Sequence, residues 1–182
     1  MAIDPRKALE ILAQNRGQRI VITTMASIGV WPELSNTPLD FAYMPSAMGQ
    51  GPALGLGLAL AHPEHGVIVI NGDGSMLMNL GSLVTLANQP ANTFLVIMDN
   101  GLYEVTGGQV TAGTGHTDFA GLARHHNFEV GKLSRSGGTG DGRRIDSGVV
   151  IRQLKRNGAG QVLLRVFHQS NGFGDAVSGD VG

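Results

Sequence analysis

Gly72-Asp73-Gly74 places one carboxylate between two glycines, and Asn100 follows 27 positions after Asp73, behind Asp99. One carboxylate and one amide oxygen suit a hard divalent cation. Glycines beside them let backbone N–H groups approach an anion, so the cation would be one that carries a diphosphate. For that chemistry Asp73 and Asn100 must meet. Residues 67–70 (VIVI) form an apolar run that delivers the chain into Gly-Asp-Gly. A helical stretch follows, and residues 94–98 form a second apolar run ending at Asp99-Asn100. Two parallel strands joined by one crossover helix bring both strand ends to the same sheet edge, where α/β proteins place ligands. The backbone N–H groups of Gly74 and Ser75, at the helix start, are then aimed at phosphate. Ser27, in the turn after an earlier strand, is a second candidate phosphate contact. Its other reading is routine helix capping.

Such a pair of strands needs a sheet around it, and the rest of the chain has the alternation to build one. Residues 1–18 read as an amphipathic helix opened by Asp4-Pro5. Residues 19–23 (RIVIT) read as a short buried strand, residues 31–41 as a loop or short helical piece, and residues 41–44 as a second strand. A turn and a helix follow, with a small-residue face of Gly51, Ala53, Gly55, Gly57, Ala59 and Ala61, stopped by Pro63. Beyond the metal motif, residues 117–128 read as a helix and residues 128–130 as a strand. Residues 131–148, with glycines among Ser, Thr, Asp and Arg, read as a loop. Residues 149–155 read as a helix and residues 161–167 (QVLLRVF) as a final strand. The expected fold is a three-layer α/β/α domain with a mostly parallel central sheet. That domain spans residues 1–168, and residues 169–182 form a tail too poor in apolar residues to pack by itself.

Composition narrows the function. The 182 residues make one domain with room for a real core, 42% of them apolar and 15% charged. A formal net charge of −1 offers nothing to attract nucleic acid or an anionic membrane. With no cysteine, this chain can hold no disulfide, Cys-ligated zinc or Cys-ligated iron–sulfur cluster. No signal-peptide h-region opens it and no run is apolar enough to span a bilayer, so the expected location is the cytoplasm. The six histidines form no i, i+4 pair; His116, after the Gly-Gly-Gln stretch, is the one nearest the expected site. Arg124, Arg135, Arg143 and Arg144 have the charge to contact a substrate anion, but read better as solvated surface charge. Neither Gly49, Gly51 and Gly55 nor Gly72 and Gly74 has dinucleotide-fingerprint spacing.

Strand, Gly-Asp-Gly, helix, strand and terminal Asn together resemble the cofactor-binding half of thiamine-diphosphate-dependent enzymes. The resemblance implies that Asp73, Asn100 and the backbone carbonyl of Leu102 hold Mg²⁺ against the diphosphate. Gly72, Gly74, Ser75 and Tyr103 would line the same cradle. Relatives usually have Asn-Asn where this chain has Asp99-Asn100, at a position not among the ligands. Ser46-Ala47-Met48-Gly49 is similar to the segment that folds the cofactor's two rings together. Met48 stands where the family has its bulky apolar wedge, and the Ser46 carbonyl where a backbone oxygen accepts the ring's exocyclic amino group. Relatives often have Gly at the Ser46 position. Read alone, Met48 is also an ordinary gap-filling side chain.

In the same family a glutamate on a different domain activates the cofactor's pyrimidine ring. The glutamates here (Glu10, Glu33, Glu64, Glu104 and Glu129) lie in no context resembling that domain. The resemblance therefore implies a separate partner subunit carrying the pyrimidine-binding domain and its Glu, hence a hetero-oligomer, or a homo-oligomer when the chain is alone. Thr106-Gly107-Gly108-Gln109 is similar to two branches of the superfamily: phosphonopyruvate and sulfopyruvate decarboxylases, and β subunits of 2-oxoacid:ferredoxin oxidoreductases. Residues 41–60 with residues 72–83 look closer to the β subunit of a two-subunit sulfopyruvate decarboxylase. The function this implies is decarboxylation of a small 2-oxoacid with an anionic head group. The alternatives are an oxidoreductase β subunit and a non-catalytic cofactor-binding module.

Overall fold

The computed structural model describes residues 4–45, 47–89, 92–133 and 147–153. Helix α1 (Pro5–Asn15) opens on Asp4, whose side chain accepts the Lys7 N–H at 3.0 Å while Pro5 takes the first turn. Its apolar stripe, Ala8, Leu9 and Leu12, is buried. Strand β1 (Ile20–Thr23) leads to a short helix α2 (Ser27–Val30), a 3₁₀ turn over Trp31–Glu33, and the edge strand β2 (Asp40–Ala42). Helix α3 (Gly51–Ala61), strand β3 (Val67–Gly72), helices α4 (Asp73–Met78) and α5 (Gly81–Asn88) and strand β4 (Thr93–Asp99) follow. A small hairpin of β5 (Leu102–Tyr103) and β6 (Gln109–Val110), helix α6 (Phe119–His125) and strands β7 (Phe128–Leu133) and β8 (Ser147–Gln153) complete the described chain.

The sheet order is β2-β1-β3-β4-β8-β7. Strands β2, β1, β3 and β4 are parallel, and β8 runs antiparallel to both of its neighbours. Side chains alternate across it with period two. Ile22, Val67, Val69, Leu95 and Ile97 pack on one face with α3, α5 and α6. Val21, Ile68, Ile70, Phe94 and Val96 pack on the other with α1 and Trp31. Strands β3 and β4 are covered on both faces, which is why they read as unbroken apolar runs. The three-layer α/β/α fold with a mostly parallel sheet is the one expected.

At the β2 edge, buried Arg16 and half-buried Asp40 form an ion pair. Asp40 also accepts Trp31 Nε1–H at 2.8 Å, Ser35 Oγ–H at 2.8 Å and the Thr37 N–H at 2.7 Å. Burial pushes the Asp40 carboxyl up, but those three donors and the Arg16 charge outweigh it and hold it below the usual carboxylate range. This cluster ties the end of α1 to the loop that returns into β2.

Several local expectations need correction. The buried face of α3 is Gly51, Gly55 and Ala59 with Pro52 and Leu56, whereas Ala53, Gly57 and Ala61 are exposed. Residues two apart lie on opposite sides of a helix, and i, i+4 spacing shares one. Gly55 is the point of closest approach, since a Cβ there would lie 2.3 Å from Val69 Cγ2. The single crossover helix after Gly-Asp-Gly is two helices, broken at Asn79 (φ −150°, ψ 62°), whose side-chain amide donates to the Gly49 carbonyl at 3.1 Å.

Residues 149–153, expected as the start of a helix, belong to strand β8 and pair with β4. The β-branched run Val149-Val150-Ile151 favours a strand. Both ends of the expected 131–148 loop are strands, in β7 and β8, while residues 134–146 lie outside the described residues. The helix expected over 117–128 is shorter, starting after Asp118, which accepts the Gly121 N–H at 2.9 Å, and ending before Asn127, which adopts φ 60°. The expected strand over 161–167 and the tail from 169 also lie outside the described residues. No helix among the described residues is long and apolar enough to cross a membrane.

Candidate active site

Strand register brings the predicted residues together. Gly72 pairs with Met98 across β3 and β4, so Asp73 and Asn100 leave adjacent strands at one sheet edge. A cavity of about 570 Å³ opens there. Ser27, Met48, Gly72, Asp73, Gly74, Ser75, Asn100, Leu102 and Tyr103 all line it. Ala47 is exposed and is not among the lining residues; Ser46 lies outside the described residues.

Asp73 is the first residue of α4, with Gly72 extended before it, and it is only 2% exposed. Its Oδ2 accepts the Thr111 hydroxyl at 3.2 Å. Among the described residues no cation pairs with it. A buried carboxylate with one neutral donor, open to a cavity, lacks the compensation that a buried charge demands. Asn100 Oδ1 accepts the Leu102 N–H at 2.9 Å, which curls residues 100–102 into a tight turn over Gly101 (φ 72°). Ahead of that turn the Tyr103 ring lies against Gly74, where a Cβ would come within 2.6 Å of Cδ1 and Cε1. Glycine at 74 is therefore required for the hairpin to close on the Asp73 turn.

Further along α4, Ser75 Oγ accepts the Gly49 N–H at 2.9 Å and Asn79 holds the Gly49 carbonyl. Helix α4 and its break thus fix the backbone just after Met48. Ser27 uses its hydroxyl on its own turn, donating to the Thr24 carbonyl at 2.7 Å and accepting the Thr24 N–H at 3.1 Å. Ser27 is the first residue of α2 and does not cap it; its hydroxyl is used on the preceding turn, beside the cavity.

Sequence reasoning missed three contributors. The N-terminal turn of α1 (Asp4, Pro5, Arg6) lines the cavity, because a helix preceding β1 must start at the sheet's C-terminal edge. Thr24 donates to the Ile70 carbonyl at 2.9 Å and contacts Asn71 Oδ1 at 3.2 Å, bracing β1 against β3. Thr111 reaches Asp73 because the β5–β6 hairpin returns the chain to Gly101, whose carbonyl accepts the Thr111 N–H at 2.8 Å. The Gly107-Gly108 turn between two short extended runs was the available signal for that hairpin. His116 and Arg124 are exposed and outside the lining; Arg135, Arg143 and Arg144 lie outside the described residues.

Among the described residues there is no cluster of three His, Cys, Asp or Glu side chains able to hold a metal. The donor set at this edge is one carboxylate, one amide oxygen and backbone carbonyls. Oxygen donors with a single protein charge fit a magnesium ion that arrives with an anionic phosphate group.

Residues 23–161 match the thiamine pyrophosphate enzyme family, in its C-terminal TPP binding domain (thiamine pyrophosphate being thiamine diphosphate). The chain belongs to that family. It is 49% identical over 79 residues to sulfopyruvate decarboxylase subunit beta of Methanothermobacter thermautotrophicus, covering 43% of this chain and 42% of the relative. It is 50% identical over 70 residues to phosphonopyruvate decarboxylase of Streptomyces viridochromogenes, covering 38% of this chain and 17% of that one. The matches thus span less than half the length of either relative. The fold is similar to benzoylformate decarboxylase from Polynucleobacter necessarius, with TM-score 0.60 and 19% identity, over 69% of this chain and 27% of that structure. The cofactor of this domain is thiamine diphosphate, with Mg²⁺ as its partner ion.

Proposed function

We propose that this chain is the diphosphate- and metal-binding subunit of a decarboxylase acting on a small 2-oxoacid with an anionic head group, of the sulfopyruvate or phosphonopyruvate kind. The observation that carries the reading is Asp73: buried, uncompensated by any cation among the described residues, and open to the same cavity as Asn100. In this reading Asp73, Asn100 and the Leu102 carbonyl hold Mg²⁺. Gly72, Gly74, Ser75 and Ser27 border the diphosphate, and Tyr103 closes the cradle over Gly74. Met48, with Ala47 and the Ser46 carbonyl, props the rings. Bound there, thiamine diphosphate supplies the electron sink that lets a 2-oxoacid release CO₂. The chain's own part is to anchor, orient and partly dry the site.

The activating glutamate comes from a partner subunit. Glu104 is the one glutamate that lines the cavity among the described residues, and it is exposed. The test is C2-proton exchange of thiamine diphosphate, followed by NMR with the chain saturated in Mg²⁺ and cofactor. Exchange no faster than in free cofactor supports a half-site. Strong acceleration by this chain alone, abolished by Glu104→Gln, would remove the two-subunit part of the proposal. Co-expression with a neighbouring gene's pyrimidine-domain subunit should then yield CO₂ from sulfopyruvate or phosphonopyruvate. A folded, cofactor-loaded complex that releases none from either would overturn the substrate class.

A further inference from the structure

We infer that Thr111 and Thr114 are positioning residues that tie the two halves of the metal cradle together, an inference resting on the assignment of Asp73, Asn100 and Leu102 as its ligands. Thr111 is 3% exposed, and its hydroxyl touches Asp73 Oδ2 at 3.2 Å and Thr114 Oγ1 at 2.9 Å. Thr114 Oγ1 in turn lies 3.0 Å from the Gly101 carbonyl, between the two ligand-bearing residues of the 100–102 turn. The Thr111 N–H donates to that same carbonyl at 2.8 Å. One hydroxyl pair therefore bridges Asp73, at the end of β3, to the turn at the end of β4.

The proton inventory gives the bridge a direction. Three oxygen–oxygen contacts share two hydroxyl protons, so they cannot all be hydrogen bonds at once. A carboxylate oxygen can only accept, so Thr111 is the donor in the bond to Asp73 Oδ2. Thr114 then divides its proton between Thr111 and Gly101. Among the described residues no hydrogen bond reaches Asp73 Oδ1. One carboxylate oxygen is thus held by the protein and the other is left for a cation. Groups that orient a metal ligand from behind are worth about tenfold or more in metal affinity when removed.

The experiment is calorimetric titration of the full chain with Mg²⁺ at saturating thiamine diphosphate, comparing wild type, Thr111→Val, Thr111→Ser and Asp73→Ala. Valine keeps the shape and loses the hydroxyl; serine keeps the hydroxyl and loses the methyl. Thr111→Val should weaken Mg²⁺ binding about tenfold, Thr111→Ser should stay near wild type, and Thr114→Val should fall between. If Thr111→Val fails to fold, Thr111→Ala against Thr111→Ser isolates the hydroxyl in the same way. Serine as weak as valine would mean that packing matters and the hydroxyl does not, and the tie would be wrong. Wild-type affinity in Thr111→Val, with binding lost in Asp73→Ala, would also overturn the tie while sparing the ligand assignment. Unchanged affinity in Asp73→Ala would instead sink the ligand assignment on which the tie rests.

Discussion

Two aspartates in this chain, Asp40 half-buried and Asp73 buried, have opposite surroundings. Asp40, at the β2 edge, is met by Arg16, Trp31, Ser35 and the Thr37 N–H, so its charge and its lone pairs are answered. Asp73, at the end of β3, has one neutral hydroxyl and faces a cavity. A carboxylate buried with full compensation serves architecture, because removing either partner strands the other. A carboxylate buried without it stores a requirement that a ligand can meet. The more buried of the two, Asp73, has the fewer partners, and the count of partners separates their roles.

The largest expected effect breaks the comparison from the Asp73 side. Asp73→Ala should abolish Mg²⁺-dependent binding of thiamine diphosphate in calorimetric titration, because the diphosphate loses its bridging cation. Asn100→Ala should weaken binding less, since a neutral amide ligand is lost. The metal-free Asp73→Ala chain should melt no lower than wild type, because the buried charge it removes had one hydrogen bond. A clear loss of thermal stability, with cofactor affinity unchanged, would make Asp73 a second Asp40.

From the other side, Asp40→Ala leaves Arg16 buried and unpaired and should lose roughly 3 kcal/mol in denaturant unfolding, without changing cofactor affinity per folded molecule. Its pH signature has a definite sign. The folded-state carboxyl lies below its unfolded value, so the unfolded chain binds the extra proton first as pH falls. The Asp40 contribution is complete above the ordinary carboxyl range and is lost as pH drops through the depressed folded value. Wild type and Asp40→Asn should therefore converge in melting temperature toward acid pH and diverge above it. Parallel curves throughout would show that Asp40 contributes through its hydrogen bonds alone.

The same contrast shows what the sequence made legible. Strand, Gly-Asp-Gly, helix, strand and Asn100 are local signals whose geometry follows from the handedness of parallel crossovers, and the structure brings those residues to one edge as expected. Strand β8 differs from the helix expected there because it is set between β7 and β4, the latter some fifty residues earlier, and strand preference depends on the neighbours' surfaces more than on local periodicity. The break at Asn79 was invisible for a related reason. Its side chain answers the Gly49 carbonyl, thirty positions away, and nothing in the helix itself demands it. The Asp40 cluster has no local signature, because its partners Arg16, Trp31 and Ser35 are scattered between α1 and β2. Apolar pattern predicts which strands are buried. It cannot predict which polar groups find one another across the fold.

The smallest expected effect tests the segment around Met48, where the protein is held by hydrogen bonds to backbone and not by charge. Gly49 is fixed by Ser75 and Asn79, and Met48 next to it projects from that anchored segment at the edge of the cavity, half-buried. A wedge so placed acts on orientation. Met48→Ala should leave Mg²⁺-dependent anchoring of the diphosphate close to wild type in titration, because no ligand to metal or phosphate is touched. Turnover of the assembled enzyme should fall about tenfold, since reacting groups held even slightly out of line lose rate steeply. Met48→Leu, which keeps the bulk, should recover most of it. If Met48→Ala instead lost all cofactor binding while its melting temperature also fell, Met48 would be packing the core like any other methionine. The ring-folding role would then pass to another residue, and the segment held by Ser75 and Asn79 would be architecture in the sense that Asp40 is.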